Sequence, residues 1–140
     1  MASIAFNNGK AALLKEDMDL VTLKIMFMAT SYVPNIDTHL YVSDISASRA
    51  VGATDVALAG VTITVNNTSD KVQVSCSTFN SGVVSVTTNA YVVYIDTGVA
   101  STSQILGYIE LTDGTTTPKT FATVAGTLTV TIPATGFLTL

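Results

Sequence analysis

A chain of 140 residues is the usual length of one domain and can bury a core without metal or disulfide support. Charged residues make up 11% of it, under half of the roughly 25% usual for soluble domains, while hydrophobic residues stand at an ordinary 48%. A net charge of −4 with six basic residues excludes nucleic-acid binding driven by phosphate neutralisation, and a single cysteine excludes a disulfide framework or a thiol-rich zinc site.

The first 55 residues carry ten of the sixteen charges. Asn7, Asn8, Gly9 and Lys10 interrupt the opening apolar stretch, so no signal-peptide core is expected, and residues 10–16 read as a short helical arm. A strand is predicted over 20–28. Residues 29–55 then form a long, mostly irregular connection holding Pro34, His39 and Asp44, and connections of that length tend to carry function or an interface.

From there on, period-two alternation dominates. Val61, Ile63 and Val65 alternate with threonines, Val72, Val74 and Cys76 with Gln73, Ser75 and Ser77, and Leu128, Val130 and Ile132 again with threonines. Further strands are predicted over 56–65, 71–77, 82–88, 90–96, 104–111, 119–124, 127–132 and 137–140. The run 90–96, AYVVYID, is apolar on both faces and reads as a central strand covered on each side. Asn66-Asn67, Asn80-Ser81-Gly82, Asp96-Thr97-Gly98, Asp113-Gly114 and Ala125-Gly126 read as turns. The expected fold is all-β, one antiparallel two-sheet β-sandwich domain over 1–140, jelly-roll-like, with a short N-terminal arm or helical turn. No membrane insertion is expected. The uncharged span 72–95 is too rich in Ser, Thr, Asn and Gln for lipid, and the strands are too few for an outer-membrane barrel.

No enzymatic constellation stands out. His39 has Asp37 and Asp44 nearby, but without a second histidine the reading is a loop residue bonding a nearby turn. Asp17 and Asp19 lack the rest of a calcium loop. Asp96, Glu110 and Asp113 lie near strand ends, yet the chain has no tryptophan to serve as a sugar platform. Cys76 falls on the apolar side of its strand and reads as a buried structural thiol. Asn66-Asn67-Thr68-Ser69 matches a glycosylation acceptor only as short polar turns do by chance.

A pattern of segments does point somewhere. Thr30-Ser31-Tyr32-Val33-Pro34, Asp37-Thr38-His39, Ser43-Asp44-Ile45, then 91–95 (YVVYI), 106–111 (LGYIEL) and 136–140 (GFLTL) follow one another. That order resembles a family of small tailed-phage virion proteins whose segments read TSSY-x-P, D-T-H, SDI, YAVIY, LIGYIDF and G-I-L-T-L. The glycine- and aromatic-rich middle of the family is replaced here by Ser/Thr-rich strands over 56–88.

The resemblance implies a capsid decoration, or cement, protein without catalysis or cofactor. It would be made in the bacterial host cytoplasm and carried on the outer capsid surface. Its implied partners are the major capsid protein and itself, as a homodimer in preference to a homotrimer, with no nucleic acid and no membrane. A tail, neck or fibre component, or a carbohydrate-binding module on the particle, is the alternative. The expected interface residues are Ile4, Phe6, Leu13 and Leu14 in the N-terminal arm, and Tyr32, Pro34, His39 and Tyr41 in the long connection.

Overall fold

The computed structural model describes residues 21–113, 117–133 and 136–139. In chain order they form β1 (Thr22–Met28), a one-turn helix α1 (Val42–Ile45), β2 (Val56–Ala57), β3 (Thr62–Asn66), β4 (Lys71–Ser75), β5 (Phe79–Thr88), β6 (Ala90–Asp96), β7 (Ile105–Glu110), β8 (Phe121–Val130) and β9 (Leu138–Thr139). The fold is all-β and sandwich-like. Its antiparallel strands divide into a four-stranded sheet ordered β2-β1-β6-β7, a three-stranded sheet β3-β4-β9 and a two-stranded ribbon β5-β8. The expected arm residues Ile4, Phe6, Leu13 and Leu14, and the short helix expected over 10–16, lie outside the described residues.

The four-stranded sheet is central because two of its strands are apolar on both faces. β1 and β6 pair along their whole length, from Thr22 opposite Asp96 to Met28 opposite Ala90. Odd positions Ile25, Phe27, Tyr91 and Val93 join a core with Val74, Cys76, Phe79, Val86, Leu128 and Val130 from the other two sheets. Phe27, Phe79 and Tyr91 form its aromatic centre, with ring centroids 5.4–6.4 Å apart in tilted and edge-on arrangements. Even positions Met26, Met28, Val92 and Tyr94 face the other way and pack against Val42 and Ile45 of α1. The central-strand reading of 90–96 therefore holds.

Three sequence expectations need correction. The single strand expected over 56–65 is two, β2 and β3, because the chain turns at Gly60. Its φ of +63° suits glycine, and a Cβ there would collide with Ser77 Oγ. The turns expected at Asn80-Ser81-Gly82 and Ala125-Gly126 are bulges inside continuous strands, so 119–124 and 127–132 belong largely to one strand, β8.

Those bulges come as a pair. Asn80 faces Thr129, but Val83 faces Thr127, so Ser81 and Gly82 share one partner position; beyond Val84, the extra residues lie on β8, at 124–125. Each bulge turns the following side chains to the opposite face. Buried positions run Phe79, Ser81, then Val86 and Thr88, while Val83 and Val124 stand exposed. Hydroxyls close the backbone gaps. Ser81 Oγ accepts from the Leu128 N–H at 2.9 Å, Ser85 Oγ accepts from the Ala125 N–H at 2.9 Å, and Thr123 Oγ1 donates to the Val84 carbonyl at 2.8 Å.

Candidate functional site

Among the described residues no sheet lies over the second face of the central sheet; residues 29–55 supply the cover. Turn chemistry shapes its first half. Asn35 Oδ1 accepts from the N–H groups of Asp37 and Thr38 at 3.0 and 3.2 Å, which folds 35–38 into a tight turn. Asp44, third in α1, reaches back to accept from the N–H groups of Leu40 and Tyr41 at 3.0 and 2.9 Å. That contact starts the helix and lets Val42 and Ile45 turn inward onto the methionines.

Two side-chain clusters pin this cover to the sheet. Arg49 grips Asp55 through two N–H···O bonds of 2.9 and 3.0 Å, and the Tyr94 hydroxyl of β6 donates to the same carboxylate at 2.6 Å. Burial, followed by the Asp55 hydrogen bond, pushes the Tyr94 phenol well above its ordinary range. The other cluster is aromatic. Tyr32 stacks on His39 with centroids 5.5 Å apart and lies 5.9 Å from Tyr108 of β7. His39 Nδ1 lies 3.1 Å from the Asn35 N–H, which can only donate, and 3.0 Å from the Tyr32 hydroxyl. The ring proton is therefore assigned to Nε2. Burial raises the phenols of both Tyr32 and Tyr108, so neither brings charge to this surface.

Between the cover and β7 runs a groove of about 450 Å³. Tyr32, Pro34, His39 and Tyr41, all expected from the sequence, meet along it, and Gln104 and Tyr108 form the opposite wall. Ile36 and Leu40, not singled out by the sequence reading, also line it; they are 89% and 51% exposed, and Val33 beside them is 76% exposed. Large apolar side chains so exposed and so close together form a patch that solvent alone does not explain. The sequence does carry one signal for it, an isoleucine set between Asn35 and Asp37 inside turn chemistry.

The remaining candidates stay apart. β6 and β7 run antiparallel with Ala90 opposite Glu110, which sets Asp96 and Glu110 at opposite ends of the sheet, about 20 Å apart by strand rise. Asp96 instead pairs with Lys24 at 2.7 Å, and that hydrogen bond lowers its carboxyl pKa. Cys76 is buried in the aromatic core, where desolvation pushes its thiol up to about 11. His39 bonds its neighbouring turn, and Asp44 is committed to backbone N–H groups. Among the described residues no three His, Cys, Asp or Glu side chains converge as a metal site, and no helix is long and apolar enough to cross a membrane.

A second groove, of about 570 Å³, opens at the far end of the sandwich between Tyr91, Leu111, Phe121 and Phe137. Comparison with protein-family models, curated proteins and solved structures finds no match to this chain.

Proposed function

We propose that the protein is a capsid decoration protein of a tailed phage, seated on the outer face of the head lattice and binding the major capsid protein. It is a non-enzymatic structural component without cofactor, presented to the shell as a self-associated subunit. One observation carries the reading. Segments behind the phage resemblance that lie apart in sequence, 30–34 and 37–39 on one side and 106–111 on the other, meet at the exposed groove between cover and β7.

The chemistry of that surface suits the task. It is apolar, carries neutral phenols and has open backbone nearby, which favours many modest contacts over one chemical site. Low overall charge removes the repulsion that dense packing on a lattice would otherwise meet.

The test is the copy number of the protein in purified particles relative to the major shell protein. A ratio near one, or a simple fraction of it, is expected, together with bursting at lower temperature once the protein is stripped. A few copies per particle would move it to the tail, neck or fibre. Absence from particles would overturn the virion reading and favour a carbohydrate-binding module, to be tested on a glycan array.

A further inference from the structure

We propose that a second copy of this chain pairs with the outer edge of β7, strand to strand and antiparallel, about a twofold axis beside Tyr108. This rests on the self-associating subunit proposed above and assigns the contact through which it forms.

The inner edge of β7 is committed except at Leu106, where a bulge interrupts its register on β6. Its register on β6 sets Ile109 opposite Tyr91 and Gly107 opposite Val93, and just beyond, the Leu111 N–H donates to the Asn89 carbonyl at 2.8 Å. Ladder alternation then turns the N–H and C=O groups of Tyr108 and Glu110 outward. No backbone group of the described residues pairs with them. Among the described residues, the outer edge is filled only where the strand begins, where the Ile105 N–H donates to the Leu40 carbonyl at 3.0 Å and Tyr41 bridges Gln104. The open stretch is therefore 106–110.

Chemistry along that stretch suits self-pairing. With Tyr108 opposite its own copy, Leu106 faces Glu110 and Gly107 faces Ile109. The single charge of β7, Glu110, then meets no second carboxylate, since Leu106 opposite it packs toward the core. The tyrosines form an aromatic cross-strand pair, while the exposed Ile36 and Leu40 on the groove remain available to the shell.

The other edges are poorer templates. β2 and β9 have two residues each, both strands of the β5-β8 ribbon are broken mid-strand by the paired bulges, and β3 carries threonines at its exposed positions; the bulge of β7 falls at the start of its open stretch, at Leu106. Pairing through β7 also sets both covers on one side of a continuous sheet, so a dimer offers two equivalent grooves to one shell.

The experiment is sedimentation equilibrium of the full chain, combined with cysteine cross-linking. Residues opposed in a hydrogen-bonded pair have Cα atoms about 5.5 Å apart, within reach of a short bifunctional thiol cross-linker. Tyr108→Cys is expected to give a covalent dimer with that reagent, whereas Thr64→Cys on β3 is not; Cys76 is buried and does not compete. Tyr108→Lys, which opposes two like charges, is expected to weaken the dimer roughly fivefold or more with an unchanged circular dichroism spectrum. If that variant fails to fold, the cross-linking experiment still decides.

A wild-type monomer throughout the soluble range would overturn the proposal. So would a trimer, or an oligomer trapped through position 64 and not 108. A trapped dimer that leaves purified shells unbound would break the virion reading and keep this one; a monomer that coats shells would do the reverse.

Discussion

The two faces of the central sheet are built on opposite plans. One is closed by other strands around Phe27, Phe79 and Tyr91, with the buried hydroxyls of Ser81 and Thr88 bonded to backbone groups at its margin. The other is closed by an irregular chain laid over Met26, Met28 and Val92 and pinned by Arg49–Asp55–Tyr94 and Tyr32–His39. Strands bury a face while satisfying their own backbone. A chain without ladders needs side-chain pins, and it leaves its outer surface free to vary. The exposed patch sits on the pinned side for that reason.

The contrast is sharpest in the largest expected effect. Phe27→Ala, at a fully buried position with two aromatic neighbours, is expected to cost about 3–5 kcal/mol in urea unfolding. Met28→Ala, equally buried but against the irregular cover, which can collapse onto the gap, is expected to cost about 2 kcal/mol. Equal costs would mean that the faces are packed alike.

Removing a pin should come next. Asp55→Ala strips the Tyr94 hydroxyl and Arg49 of their shared acceptor, with an expected loss of about 1–3 kcal/mol. Hydrogen exchange should then rise in 46–55 and leave β4 unchanged, whereas uniform loss of protection would show that the cover is not a separate layer.

Alkaline pH probes both faces together. Burial raises the folded-state pKa of Tyr91 and Tyr94, and that of Cys76 to about 11. A raised acid keeps its proton in the folded state after the unfolded chain has lost it. Stability is therefore intact below the unfolded values, near 8.5 for a thiol and 10 for a phenol, and falls above them by about 1.4 kcal/mol per pH unit per group. Urea midpoints at pH 8 and pH 10.5 should show the drop. Tyr91→Phe and Tyr94→Phe should each flatten it above pH 10, and a flat wild-type profile would contradict the burial of these groups.

The smallest expected effect on stability lies on the patch. Ile36→Ser, at an 89% exposed position, should change unfolding by no more than about 0.5 kcal/mol. It should nonetheless weaken binding to purified shells, measured by co-sedimentation. A large destabilisation would recast the patch as part of the core.

Legibility in the sequence followed the same division. Wherever a strand has one buried face or two, its period reports the fact, and β1, β4 and β6 were readable on that basis. The bulges were not, because Asn80-Ser81-Gly82 and Ala125-Gly126 offer the same left-handed or side-chain-bonded backbone that a turn uses; only the partner strand distinguishes the two. The loop sequence points to Tyr32, Pro34, His39 and Tyr41, yet their meeting with Tyr108 depends on β7 lying beside β6, which no local spacing encodes.

The paired bulges of β5 and β8 act as two dislocations of opposite sign. The offset introduced at Ser81-Gly82 is undone at 124–125, and the ladder beyond returns to its starting phase. Neither defect can glide away, because Ser81, Ser85 and Thr123 lock the cores of both. The lengths of the two strands are thereby tied together. Loss of one residue from β5 throws every later pair out of phase, whereas a matching loss from β8 lets the two faults annihilate and leaves a shorter, unbroken ribbon.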